Sequence, residues 1–415
     1  MGLVCMMTLA AVSVSSCGKD DEIKTFSSNG SQDNGSPSEP GNDDTPSKEP
    51  AGTAADPYRI ASASDWRRWM TAYAKDSNRY FRLTAPIELN ATVDTFCGRL
   101  DGNGYSISVS NRPIFKVLDG AEVSNLVVAG TVTGFTPDAS DIVVRRNEAD
   151  VTERFFGGLV CCCTNGTLIQ NCVSRLLVSL NSSWFGYFSP FCGIAESSTI
   201  SNCLSEGSFR AETAYVGGIV SLADSGSVVS GCGVSANMSS TAIGGVVYRA
   251  RCSSVSNCYA VSALEPSQES SAGVVGICEA GVVDNCYFYG TISSSTPALV
   301  CFLSAKNGVV RYCYGGLSEE EEGSDVRLVW RTSSGGMYDK CYRLFNALQL
   351  EVTGPYGRSL LVDELNAREA ELGTACRWTV KDNQVVIAAQ YERGNKCRSV
   401  KCGATENKMQ IILLK

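Results

Sequence analysis

Tyrosine follows cysteine four times near the middle of the chain, at Cys258-Tyr259, Cys286-Tyr287, Cys313-Tyr314 and Cys341-Tyr342, with steps of 28, 27 and 28 residues. Aromatic rings at a constant interval can lie flat against sugar rings. Tyr259, Tyr287, Tyr314 and Tyr342 are therefore a candidate glycan- or partner-binding strip. The competing reading is that another segment, such as the C-terminal region, packs over them, because large exposed apolar patches on soluble proteins are uncommon. A second candidate is Trp184-Phe185-Gly186-Tyr187-Phe188, with Trp184 and Tyr187 as the contact residues, or else a loop folded back onto the body. Other chemistry is restricted by composition. The 415 residues contain no histidine, which removes Ser-His-Asp and Cys-His machinery and any imidazole metal site. A net charge of −8, from 35 Lys+Arg against 43 Asp+Glu, argues against holding nucleic acid by phosphate neutralisation.

The elements that must position these side chains follow from a repeat. Cysteines recur at Cys172, Cys203, Cys232, Cys258, Cys286, Cys313 and Cys341, several of them preceded by asparagine, at intervals of 31, 29, 26, 28, 27 and 28. A second signal keeps the same period: Gly157-Gly158-Leu159-Val160, Gly217-Gly218-Ile219-Val220, Gly244-Gly245-Val246-Val247 and Ala272-Gly273-Val274-Val275. Between them lie short β-branched runs punctuated by Gly, Ser and Asn, without a helical period. Three short strands in about 27 residues make one coil of a parallel β-helix, stacked ~4.8 Å above the last. One coil cannot bury its apolar face alone, so stacking supplies the core.

That geometry weighs the 20 cysteines. A line of sulfurs does not surround one point as zinc requires, and parallel Cβ vectors disfavour the disulfide dihedral. The preferred role is a small, polarisable core residue, with scattered disulfides as the alternative. Alternation in a strand points Cys162 away from Cys161 and Cys163. Cys397 and Cys402, outside the ladder, are the best disulfide candidates. No metal or cofactor is expected.

The N-terminus carries a different signal. Residues 3–16 are an apolar run too short to span a membrane, ending in Val14-Ser15-Ser16-Cys17. This resembles the lipobox of bacterial lipoproteins, which implies a signal peptide over 1–16 and lipidation of Cys17. Lys19, Asp20, Asp21 and Glu22 follow, similar to the surface-export signal of lipoproteins from Bacteroides-type bacteria. No Lys or Arg precedes the apolar run, a departure from the signal-peptide pattern. Residues 17–56 complete a flexible tether rich in Ser, Gly, Pro, Asn and Asp, whose 23–56 stretch reaches roughly 35 Å.

The body itself resembles the GLUG-motif repeats of bacterial surface proteins: Gly-Gly-apolar-apolar, a Gly-led strand, then Asn-Cys-Tyr, clearest over 244–260 and 273–289. The opening of the folded part matches too, in Asp56-Pro57-Tyr58-Arg59-Ile60, a helix over 64–74 capped by Ser64, and Gly98-Arg99-Leu100-Asp101-Gly102-Asn103-Gly104. The helix places Trp66, Trp69, Met70 and Tyr73 on one face, to cover the first open coil. The resemblance spans about 56–345 and implies a right-handed parallel β-helix on a cell surface with no established catalytic residues. A helix near 360–367 and a hairpin over 377–387 resemble the segment that follows such coils and are expected to close the last one. Residues 391–415 stay unassigned beyond a strand at 409–414.

β-Helix lyases and galacturonases cluster Asp, Lys and Arg to move protons. Here the 162 residues from 156 to 317 hold 14 charged side chains, sparse against 19% overall, and the richer runs lie at 138–154 and 319–325. The four glutamates Glu319 to Glu322 read as a solvated loop rather than a calcium site. The lipobox and export-signal resemblances thus imply an outer-membrane, cell-surface lipoprotein. Its regions are the signal (1–16), the tether (17–56), the β-helix with its N-terminal cap (57–345) and a C-terminal capping segment (346–415). A monomeric adhesin or glycan-binding module, meeting host or dietary glycans or surface proteins, is the first functional reading. A carbohydrate-active enzyme or a structural spacer are the alternatives.

Overall fold

The computed structural model describes residues 49–343, apart from 136, 138–141, 147–150, 182–183, 269 and 319–324, and residues 358–388, apart from 374–375 and 382–383. Cys17, Lys19, Asp20, Asp21 and Glu22 lie outside the described residues, as do the Glu319 to Glu322 run, Cys397, Cys402 and the strand expected at 409–414.

The chain winds as a parallel β-helix whose coils cross three sheets of nine, eleven and fourteen strands. One coil runs Val220–Asp224, Val228–Ser230 and Gly233–Gly244, and the next runs Val247–Arg251, Ser254–Ser256 and Tyr259–Pro266. Register is kept between them, with Val220 beside Val247, Val229 beside Val255 and Gly233 beside Tyr259. The cysteine interval is therefore the length of one coil. Down the eleven-stranded sheet, Val123, Ile169, Ile200, Val229, Val255, Val283 and Val310 form an inward column with no exposed surface. β-Branched side chains suit this place because each packs on its counterpart one coil away.

The asparagine before each cysteine has a backbone cause. Asn171, Asn202, Gly231, Asn257, Asn285, Tyr312 and Lys340 turn the chain between the eleven- and fourteen-stranded sheets with φ between +49° and +60°. Asn and Gly adopt that left-handed conformation most readily. The Gly-Gly pairs make the opposite corner, where space is the constraint. A Cβ at Gly217 would stand 1.8 Å from the Val220 carbonyl oxygen, and one at Gly218 2.3 Å from that of Gly245.

The ladder thiols point inward. Cys172, Cys203, Cys232, Cys258, Cys286 and Cys313 have no exposed surface. Each Sγ lies 3.1–3.4 Å from the carbonyl oxygen two residues back and 3.6–4.0 Å from one on the preceding coil. Every described cysteine is a free thiol. Cys161 and Cys163 join the core, whereas Cys162 belongs to an outer cluster, as strand alternation requires.

At the N-terminal end, α1 (Ala63–Tyr73) seats Trp66, Trp69 and Met70 in the core, with Tyr73 stacked on Tyr58 at 4.8 Å. Its cap is Ser62 and not Ser64: Ser62 Oγ accepts from Asp65 N at 3.1 Å, and Asp65 Oδ2 accepts from Ala61 N at 3.1 Å. That reciprocal pairing satisfies two otherwise free donors and starts the helix earlier. Folded structure also begins before residue 57. Tyr80 N donates to Gly52 O at 3.0 Å and Arg79 to Ala51 O at 3.1 Å, so residues 49–56 pack on the first coils instead of extending the tether.

The C-terminal segment contains α2 (Arg358–Leu372) and the hairpin Trp378–Lys381 with Gln384–Ile387. These described residues do not lie over the last described coil. They lie along the flank, where Leu361, Leu365, Cys376, Trp378, Val385 and Ile387 pack on Tyr259, Tyr287 and Tyr314. Asn285 Nδ2 donates to Leu365 O at 2.9 Å, Tyr287 Oη donates to Val385 O, and Arg368 pairs with Asp284 at 2.7 Å. Met337, Tyr338 and Tyr342 of the last described coil remain exposed.

Candidate aromatic binding corner

The fourteen- and nine-stranded sheets meet at the Gly-Gly corners, and the outward residues on either side of that corner converge. Before it, Phe155, Tyr187 and Tyr215 are register partners on successive coils. After it, Cys162, Ile194, Leu222, Arg249 and Ile277 form the facing column. Most of these side chains, with Tyr248 and Ala242, make an apolar cluster outside the solenoid core.

The rings are closely coupled. Phe155 stacks on Tyr187 at 4.9 Å, Tyr187 meets Tyr215 at 5.2 Å, and Tyr215 lies parallel to Tyr248 at 4.9 Å and 6°. Phe185 reaches Tyr215 edge-on at 5.2 Å. Phe155, Tyr187 and Tyr248 are buried, Tyr215 is half-buried, and Phe185 is 52% exposed. The inner rings therefore act as a rigid floor, and Phe185 with Tyr215 forms the accessible edge.

Polar groups frame this floor. Arg249 Nη2 donates to both oxygens of Glu279 at 2.9 Å, while Arg249 Nε is buried without a hydrogen-bond partner among the described residues. Arg145 pairs with Glu196 and donates to Cys162 Sγ at 3.0 Å. Tyr187 Oη donates to Glu153 Oε1 at 3.2 Å, and Tyr248 Oη lies 3.4 Å from Ser270 Oγ. Burial pushes both phenols up from their usual range, with the Glu153 charge adding to the rise at Tyr187. Burial likewise pushes the Cys162 thiol up to about 12 despite Arg145, so it is no nucleophile at neutral pH. The corner thus offers ring faces, phenolic hydroxyls and fixed ion pairs, a set suited to recognition.

The residues nominated from sequence are only partly here. Tyr187 belongs to the corner but is 7% exposed, and Trp184, at 3%, folds inward as the loop alternative anticipated. Tyr259, Tyr287 and Tyr314 do stack in register, with Tyr259 and Tyr287 at 5.7 Å, but they are 4%, 2% and 6% exposed beneath the C-terminal segment. They cannot serve as an open strip. Tyr342 alone is exposed, at 52%, stacked on Tyr314 at 5.6 Å. Sequence reasoning missed Phe155, Tyr215, Tyr248, Arg249 and Glu279. One signal was readable: Phe155 and Tyr215 each stand two residues before a Gly-Gly pair.

No family model matches the chain, and no curated protein matches it. Among solved structures, it is similar to a candidate immunoglobulin A1 protease from Bacteroides ovatus, with 16% identity over 81% of this chain and 94% of that one, at a TM-score of 0.47. It is also similar to a protein described as IgA1 protease, with 18% identity over 78% of this chain, at a TM-score of 0.42. The match spans a quarter of that second chain's length (25%).

Proposed function

We propose that this protein is a lipid-anchored, surface-displayed binding module that holds a glycan against its outer aromatic corner. The observation that carries this reading is the exposed Phe185 ring edge-on to half-buried Tyr215, backed by buried aromatics and the fixed Arg249–Glu279 pair. An exposed ring face takes the C–H face of a pyranose, excluding water from both. Arg249 and Glu279 would present a donor and an acceptor to the sugar hydroxyls, already oriented by each other. Cys17 would supply the anchor, with Lys19, Asp20, Asp21 and Glu22 directing export to the outer face, and the Ser/Gly/Pro-rich segment the reach.

Oligosaccharide arrays followed by calorimetry test the corner. Phe185→Ala and Tyr215→Ala should each weaken the best ligand roughly tenfold, the scale of a lost interface aromatic. Unchanged affinity in the double variant would sink the assignment.

A further inference from the structure

Three residues along the same strand from Tyr215, the surface opens into a depression of about 330 Å³ lined by Glu212, Ser239, Ser240, Glu265, Ser267 and Ser293, with Pro266 at its side. We propose that this depression is a second subsite, taking an uncharged, hydroxyl-rich sugar unit of a chain that also crosses the corner; it rests on the glycan-binding reading above.

The depression has an identifiable origin. In the pairing of Leu204–Gly217 with Gly233–Gly244, Ala211 faces Ser240 and Tyr215 faces Ala242. Three residues, Glu212 to Ala214, thus oppose Thr241 alone. Such a bulge bends its strand and re-aims the side chains it carries. Thr241 Oγ1 fastens it by donating to Glu212 O at 2.8 Å. On the next coil, Ser267 N donates to Ser240 O at 2.8 Å and Gln268 N to Thr241 O at 2.9 Å, which forms the opposite wall.

The lining selects a chemical class. Both hydrogen bonds from Arg210 to Glu212 fall on Oε1, which leaves Oε2 without a partner among the described residues. The Glu265 carboxylate has no hydrogen-bond or ion-pair partner among them either. Ionised carboxylates only accept, so the matching ligand must donate. Serine hydroxyls can do both. Sugar hydroxyls fit this set, whereas a uronate or sulfated unit would meet like charge with no counter-cation beyond the already paired Arg210. The volume lies at the low end for small-ligand sites, consistent with one unit of a longer chain. At about 3.3 Å per residue, Glu212 and Tyr215 are at most roughly 10 Å apart, and the bulge shortens that span, so one oligosaccharide can reach both.

The test measures affinities of cellohexaose, mannohexaose and hexagalacturonate for the full chain by calorimetry, in the native protein and in E212Q/E265Q and Y215A variants. Both glutamates are exposed, so the substitutions leave the fold intact, checked by an unchanged melting temperature. The native protein should bind a neutral hexaose at least tenfold more tightly than hexagalacturonate. E212Q/E265Q should weaken the neutral ligand about fivefold and narrow that preference. If E212Q/E265Q alters neither affinity nor preference while Y215A weakens binding, the subsite is refuted and the aromatic corner survives. If no hexaose binds the native protein, both fall.

Discussion

Asp284 holds the C-terminal segment to the flank of the solenoid, and removing its carboxylate should release that segment without unwinding the coils. Its side chain is 2% exposed and accepts from Arg311 Nε at 2.8 Å, Arg368 Nε at 3.0 Å and Arg368 Nη2 at 2.7 Å. The two arms are unequal. The Arg311 side chain is 42% exposed, so water screens its pairing and can replace it at little cost. The Arg368 side chain is 13% exposed and packs over the Tyr312 ring at 3.9 Å; without Asp284 its guanidinium keeps, among the described residues, only Glu371 as an anionic partner. Losing a charge-assisted pair from such a site costs about 2–3 kcal/mol. That corresponds to roughly 30- to 150-fold faster local opening.

Hydrogen exchange read by mass spectrometry on Asp284→Ala is the direct assay. Peptides within 358–372 and 378–387 should exchange faster by that factor, and the freed Tyr259 and Tyr287 rings should become accessible. Coils ahead of 200 should be unaffected. Asp284→Asn retains an acceptor and should lie between. If the C-terminal peptides keep native protection in Asp284→Ala, the apolar contacts of Trp378, Leu365 and Ile387 hold the segment alone, and the reasoning from the ion pair is wrong.

Two further outcomes are expected. Burial raises the pKa of the Cys203, Cys286 and Cys301 thiols above the unfolded value, so their contribution to stability is complete below about pH 8.5 and is lost as pH rises toward the native values, by up to about 1.4 kcal/mol per unit and thiol. Urea midpoints between pH 7 and 10 should fall more steeply in the native protein than in a Cys203→Ala/Cys286→Ala variant; equal slopes would refute it. In cells, a labelled fatty-acid precursor should enter the native protein and not Cys17→Ser, and equal labelling of the two would remove the anchor.

Much of the fold was legible because a solenoid repeats its constraints. Each coil needs a left-handed turn, which Asn171, Asn202, Asn257 and Asn285 provide, and a corner with no room for a Cβ, which the Gly-Gly pairs provide. Each also needs a compact inward residue at one register position, and the ladder cysteines fill it. The binding corner was less visible. Tyr215 and Tyr248 come from successive coils on opposite sides of a Gly-Gly turn, and only the bend between two sheets brings their rings to 4.9 Å. The α1 cap shows the same limit at small scale: Ser62 and Ser64 are chemically equivalent N-caps, and the return bond from Asp65 decides for Ser62.

The sequence alone therefore determined the period, the three-strand coil and the inward thiols, since these depend on backbone conformation and on contacts between one repeat and the next. Given inward cysteines, strand alternation also turns the residue after each of them outward. Which of those outward aromatics meets solvent was decided by tertiary structure. Tyr287 is covered because Val385, 98 residues further on, accepts its hydroxyl and Trp378 packs against its ring at 5.8 Å. Contacts of that kind join a repeating surface to a segment with no repeat, so periodicity carries no record of them; they arise from shape and hydrogen-bond complementarity once both parts have folded.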